Sequence, residues 1–196
     1  MNYPNKLTVI VPSFSVVTDT KDQRSFSQRL LFMTAFAVLH ADRHDDGRIA
    51  FSERIELDPI GNGSIDLLTK LGNELDPQAI LAGWRLDYGI GSLVRVPRDS
   101  MREAEGKTPL LQLSSILANE PIDVAWFDQQ GGLPTLLQIA ARYSLAAEWD
   151  QPVSSNPAIL RQRLSARVRT IWAAVAEVRM PLGDDRRKAF ASFAII

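Results

Sequence analysis

Two histidines and three aspartates crowd one short stretch, His40-Ala41-Asp42-Arg43-His44-Asp45-Asp46-Gly47. Imidazole and carboxylate together suit several divalent ions, so the stretch is a candidate metal cluster. Asp46-Gly47 is also a pair favoured in tight hairpins, and a solvated turn accounts for the same residues. Gly61-Asn62-Gly63-Ser64 precedes a predicted helix, where free amides can hold a phosphate. It lacks the longer glycine pattern and the lysine of a phosphate-binding loop, so a loop with a Ser64 cap explains it. Ser13 and Ser15 have no evident histidine partner and the Gly-x-Ser-x-Gly elbow is missing, which argues against a serine nucleophile. The chain has no cysteine, which removes thiolate chemistry, disulfides and zinc-thiolate sites.

The stretch 80–93, ILAGWRLDYGIGSL, carries a different kind of signal. A short apolar run ends in Gly83, followed by Trp84-Arg85-Leu86-Asp87-Tyr88 and then Gly89-Ile90-Gly91. It reads as a central strand that delivers its last residues to the top of a sheet and turns into a helix. In open α/β sheets, ligands gather at such strand ends. Trp84 and Tyr88 could stack on a base there, and the same aromatics could equally pack on the rim of the core.

The elements that must position these residues follow from periodicity. Residues 7–17, LTVIVPSFSVV, are rich in β-branched side chains and predict a strand. Pro12 inside it predicts an edge position or a bulge. Residues 34–57 predict a hairpin around the Asp-Gly turn, with Ile49, Phe51, Ile55 and Leu57 on one face. Residues 64–75 predict an amphipathic helix. Thr108-Pro109 opens a further helix to about residue 119. Residues 121–127, PIDVAWF, predict a strand and 133–145 a helix. Residues 158–178 form the longest helix, with a stripe from Leu160 to Val178, and 184–196 a last short helix with an apolar end.

At 196 residues with 45% apolar content, the chain suits one α/β domain with a sizeable core. Its 22 basic and 23 acidic residues nearly cancel. That argues against a broad footprint for duplex nucleic acid, although a local basic groove remains compatible with it. No run is long and apolar enough to predict a membrane span. The N-terminal MNYPNKLTVIVPSF makes a poor signal peptide, and the resulting expectation is a cytoplasmic protein with no membrane partner.

Three antiparallel strands followed by βα units is the layout of the ribonuclease H-like fold, and the chain more narrowly resembles the DEDD superfamily of 3′-5′ exonucleases over roughly residues 7–180. LTVIVPSFSVVTD looks like the first motif strand. MTAFAVLHADRHDDGRIAFSERIELDP looks like the second and third strands. AILAGWRLDYGIGSL looks like the second motif, and RLSARVRTIWAAV like the third-motif helix. The resemblance implies an α/β domain with a mixed central sheet flanked by helices, over 1–183, and a C-terminal apolar tail, 184–196, packed on the core or on a partner.

The family's chemistry needs four carboxylates holding two divalent metals. Here the first-motif pair falls on Ser13 and Ser15, the second-motif position on Gly89, and the third-motif position on Arg167. Gln162 or Arg163 stands where the family has its general base. The resemblance therefore implies a catalytically degenerate domain, without a cofactor, that binds single-stranded nucleic acid or a protein partner without cleaving it. Its expected nucleic-acid-binding residues are Arg85, Arg167, Trp84 and Tyr88, with guanidinium groups in place of metals. One alternative is an active exonuclease holding Mg or Mn on displaced carboxylates, Asp19, Asp87 and Asp123. Another is a structural or homo-oligomeric interaction module that uses the apolar end 190–196.

Overall fold

The computed structural model describes residues 3–18, 29–58, 64–86, 121–129, 133–145, 147, 156–180 and 183–193. A long strand β1 (Lys6–Thr18) pairs antiparallel with β2 (Arg29–Arg43), which turns back into β3 (Ile49–Leu57). Helix α1 (Ser64–Glu74) then crosses to β4 (Ile80–Gly83), parallel to β1, and β5 (Ile122–Asp123) lies parallel to β4. Three helices follow: α2 (Leu136–Arg142), α3 (Pro157–Arg179) and α4 (Asp184–Phe193). The five-stranded mixed sheet has the order β3-β2-β1-β4-β5. The chain is thus an α/β protein with helices on both faces of the sheet.

Strand alternation divides the core into two layers. Leu7, Val9 and Val11 of β1, with Ala35, Ala37, Leu39 and Ala41 of β2, face α3 and meet Leu164, Val168, Ile171, Trp172 and Val175. Ile10, Phe36 and Val38 point the other way, onto Leu67, Leu68 and Leu71 of α1. The small residues of β2 let the wide stripe of α3 approach closely, so Trp172 is fully buried. Its indole N–H donates to the Tyr3 hydroxyl at 2.9 Å. Phe51, Phe190 and Phe193 surround it, with ring centroids at 4.8, 5.2 and 4.5 Å. The C-terminal helix α4 is therefore part of the core through Ala189, Phe190 and Phe193; residues 194–196 lie outside the described residues.

Several sequence expectations change in detail. β1 lies in the middle of the sheet, not at an edge. The irregularity expected near Pro12 falls between Ser13 and Phe14, where Thr34 is the extra residue of β2. The Thr34 hydroxyl donates to the Ser13 carbonyl at 3.3 Å. The bulge shifts side-chain phase by one, which is why Met33 joins Phe36 on the α1 side. PIDVAWF is not a strand throughout: β5 is two residues long, and Val124–Gln129 is a 3₁₀ turn. The cause is Asp123, whose carboxylate accepts from the Ala125 amide at 2.9 Å and bends the chain at once. The helix expected over 133–145 is shorter, because Thr135 and Gln138 close a capping box at its start. Asn156 caps α3 just before Pro157. The helix expected over 108–119 lies outside the described residues.

Candidate functional site

β1, β4 and β5 run parallel, so their carboxyl ends gather at one end of the sheet, opposite the β2–β3 hairpin. β4 stops at Gly83 because the chain must double back there. A Cβ on Gly83 would lie 2.3 Å from Cδ2 of Leu86 and 3.1 Å from the Ile10 carbonyl oxygen. Leu86 folds over that bare backbone and fills the α1 layer. Between them, Trp84 packs against the α3 layer, and Arg85 takes a positive φ of 51°. For a residue with a Cβ that conformation is uncommon and costs energy.

Asp123 holds this turn in place. Its carboxylate accepts the Arg85 amide at 2.8 Å and the Leu86 amide at 2.9 Å, besides Ala125. One side chain from β5 thus fixes the exit of β4 through two charge-assisted bonds and its own turn through a third. The result is an exposed Arg85 guanidinium lying 4.6 Å from the centre of the Trp84 indole. A stacked guanidinium of this kind keeps its flat outer face and its in-plane N–H donors.

The other expected site residues are placed as follows. Ser13 lies on β1 beyond the last residue that pairs with β4. It is buried, and its hydroxyl has no hydrogen-bond partner among the described residues. Ser15 pairs with Phe32 across β1 and β2. Arg167 is half-buried on α3, and its Nε donates to the Ala147 carbonyl at 3.1 Å. It therefore ties down the chain after α2. Asp123 braces backbone amides. Asp19, Asp87, Tyr88 and Gly89 lie outside the described residues. Of the expected nucleic-acid-binding residues, the structure brings together Trp84 and Arg85. Asp123 joins them as a brace, a role that sequence reasoning missed. The only local signal was an Asp able to capture its own i+2 amide.

Two further arginines of α3 serve the fold. Arg169 pairs with Glu53 of β3 at 2.8 Å, and Arg161 donates to the Ile55 carbonyl at 3.1 Å. The histidine-aspartate stretch is a hairpin turn. The Arg48 amide and Nε both donate to Asp46, Gly47 has a φ of 83°, and His40 faces Thr8 and Glu74. No group of three His, Asp or Glu side chains suited to a metal ion occurs among the described residues. No helix among them is long and apolar enough to cross a membrane.

No protein-family model, curated protein or solved structure matches this chain.

Proposed function

We propose that this chain is a ribonuclease H-like domain, degenerate relative to the DEDD exonucleases, that binds single-stranded nucleic acid at the carboxyl end of its sheet without cleaving it. The strand order 3-2-1-4-5, with an antiparallel meander followed by parallel β4 and β5, supports the fold reading. The observation that carries the functional reading is the Arg85 guanidinium stacked on Trp84, exposed at the end of β4 on a backbone turn that Asp123 braces. Bases stack on aromatic rings and on guanidinium planes alike, and the free N–H edge suits a phosphate oxygen. Single strands fit better than duplex because their bases are available for stacking and the chain's net charge is only -1. In this reading Ser13, Ser15, Gly89 and Arg167 stand where the four metal-binding carboxylates would be, so binding needs no divalent ion.

The test is fluorescence anisotropy with labelled single-stranded DNA and RNA, with and without EDTA. Arg85→Ala and Trp84→Ala are each expected to weaken binding by about tenfold, the scale of one lost stacking contact. Wild-type protein that ignores both probes, or variants that bind as tightly as wild type, would sink the reading. Cleavage on adding Mn²⁺ would instead favour the active nuclease with displaced carboxylates.

A further inference from the structure

β3 is an edge strand of nine residues. The direction of its backbone groups follows from two bonds at its ends. The Arg48 carbonyl accepts the His44 amide at 2.9 Å, and the Asp58 amide donates to the Thr34 carbonyl at 2.8 Å. Both residues therefore face β2. The register between them runs without a break from Leu57 opposite Ala35 to Ile49 opposite Arg43. Alternation along an antiparallel strand then turns the N–H and C=O groups of Ile49, Phe51, Glu53, Ile55 and Leu57 away from the sheet. Among the described residues no strand pairs with them. The side chains of Phe51, Ile55 and Leu57 belong to the α3 layer yet remain only half-buried. Such an edge is a template for a further strand.

The geometry points to a second copy of this chain as that strand: an antiparallel β3–β3 pair centred on Glu53, about a two-fold axis perpendicular to the sheet. In this register Phe51 lies opposite Ile55 of the other copy, and Ile49 opposite Leu57, so apolar side chains meet on the α3 side. Ser52 faces Arg54, and Ala50 faces Glu56, on the α1 side. At each end Arg48 comes opposite Asp58, an attractive pair made twice by symmetry. The one like-charge pair is Glu53 with itself, and each Glu53 already holds its own Arg169 through two bonds, at 3.0 and 2.8 Å. Moving the axis to Ser52 sets Phe51 against Glu53, and moving it to Arg54 sets two arginines against each other. Arg161 occupies one lone pair of the Ile55 carbonyl, and the second stays available to an incoming amide. The product joins two five-stranded sheets into one.

Sedimentation equilibrium of the full chain across micromolar concentrations tests the pairing. The expected species has twice the 21.8 kDa chain mass. Glu53→Pro removes an outward N–H and leaves the β2 ladder intact, so it is expected to return the mass to that of one chain with an unchanged circular dichroism spectrum. A wild-type protein that stays monomeric, or a folded Glu53→Pro that stays dimeric, overturns the proposal. If Glu53→Pro does not fold, Glu53→Cys decides the matter, since the chain has no other cysteine. Directly opposed residues of a hydrogen-bonded pair have Cα atoms about 5.5 Å apart, within disulfide reach. Oxidation of the dimer is expected to cross-link it nearly completely, and a dimer that stays uncross-linked overturns the register.

Discussion

At the hairpin end of the sheet, polar groups tie the C-terminal helix and the N-terminus to the turn; at the carboxyl end, Asp123 braces the exit of β4 and leaves the Arg85 guanidinium exposed. Arg43 pairs with Asp185 at 2.5 Å, and Lys188 donates to the Asp46 carbonyl at 3.0 Å, which fastens α4 to the hairpin. Tyr3 accepts from Trp172, and the Arg43 amide donates to the Asn5 carbonyl at 2.7 Å. Beneath these bonds lies the aromatic cluster of Phe51, Trp172, Phe190 and Phe193. The carboxyl end has instead a buried Ser13 hydroxyl without a partner among the described residues and the Arg85 guanidinium stacked in the open; a positive φ on a residue with a side chain occurs at Arg85 here and at Ser144 beside Tyr143. Strain and unsatisfied polarity persist where surrounding structure holds them, and they concentrate where proteins bind ligands. The contrast sets a densely packed and bonded end against one that leaves an aromatic-stacked cation open to solvent.

Substitutions at the two ends should therefore separate stability from binding. The largest effect is expected from Trp172→Ala, which empties a fully buried site and strands the Tyr3 hydroxyl. The loss is about 3–5 kcal/mol in urea unfolding; a loss below about 1 kcal/mol would mean that the aromatic cluster is not the keystone of the fold. Gly83→Ala comes next, at about 1–3 kcal/mol, because its Cβ meets buried Leu86 on one side and the Ile10 backbone on the other. It should also lower oligonucleotide affinity, since displacing Leu86 shifts Arg85. Retained affinity would detach the Arg85 turn from binding. Gly47→Ala should cost about 1–2 kcal/mol, from positive φ and from crowding Asp185. Its affinity for single strands should be unchanged, because the hairpin lies at the opposite end of the sheet.

The same contrast shows what a sequence discloses. The hairpin end was legible because its signals are local: an Asp-Gly turn, alternation along β3, and the long stripe of α3. The strand β1, the helix α1 and the start of β4 were legible for the same reason. The carboxyl end depends on a bond between residues far apart in sequence. Asp123 acts on Arg85 and Leu86, and no periodicity announces that a carboxylate in an apolar run will cap a distant turn. The same carboxylate, bonded to the Ala125 amide, truncates β5, where six apolar or aromatic neighbours suggest a longer strand and Trp126 instead stands 60% exposed. Thr34 gives a second example. A bulge changes which face each residue takes, and the sequence pattern around residues 29–35, apolar at nearly every position, carries no mark of the change.

The smallest expected effect probes how dry the hairpin end is. Tyr143 stacks on Phe190 with centroids 4.9 Å apart, and its hydroxyl donates to Glu177 at 3.0 Å. Arg142 holds the same carboxylate at 2.6 Å, so α2 is bound to α3 by one ionic knot. Burial first, and the Glu177 charge second, push the Tyr143 hydroxyl up to about 12. Burial likewise raises Tyr3. Both shifts have the same sign for stability. Below about pH 10, tyrosine is neutral in folded and unfolded chains alike and the contribution is fully present. As pH rises further, the unfolded chain ionises first, so stability falls steadily until the folded pKa is passed. Melting temperature should therefore be flat near neutrality and decline between about pH 10 and 12. Tyr143→Phe should start slightly less stable, having lost one part-buried hydrogen bond worth about 0.5–1 kcal/mol, and should decline less steeply. An identical slope in the variant would mean that packing and Glu177 do not hold the Tyr143 hydroxyl neutral in the folded chain.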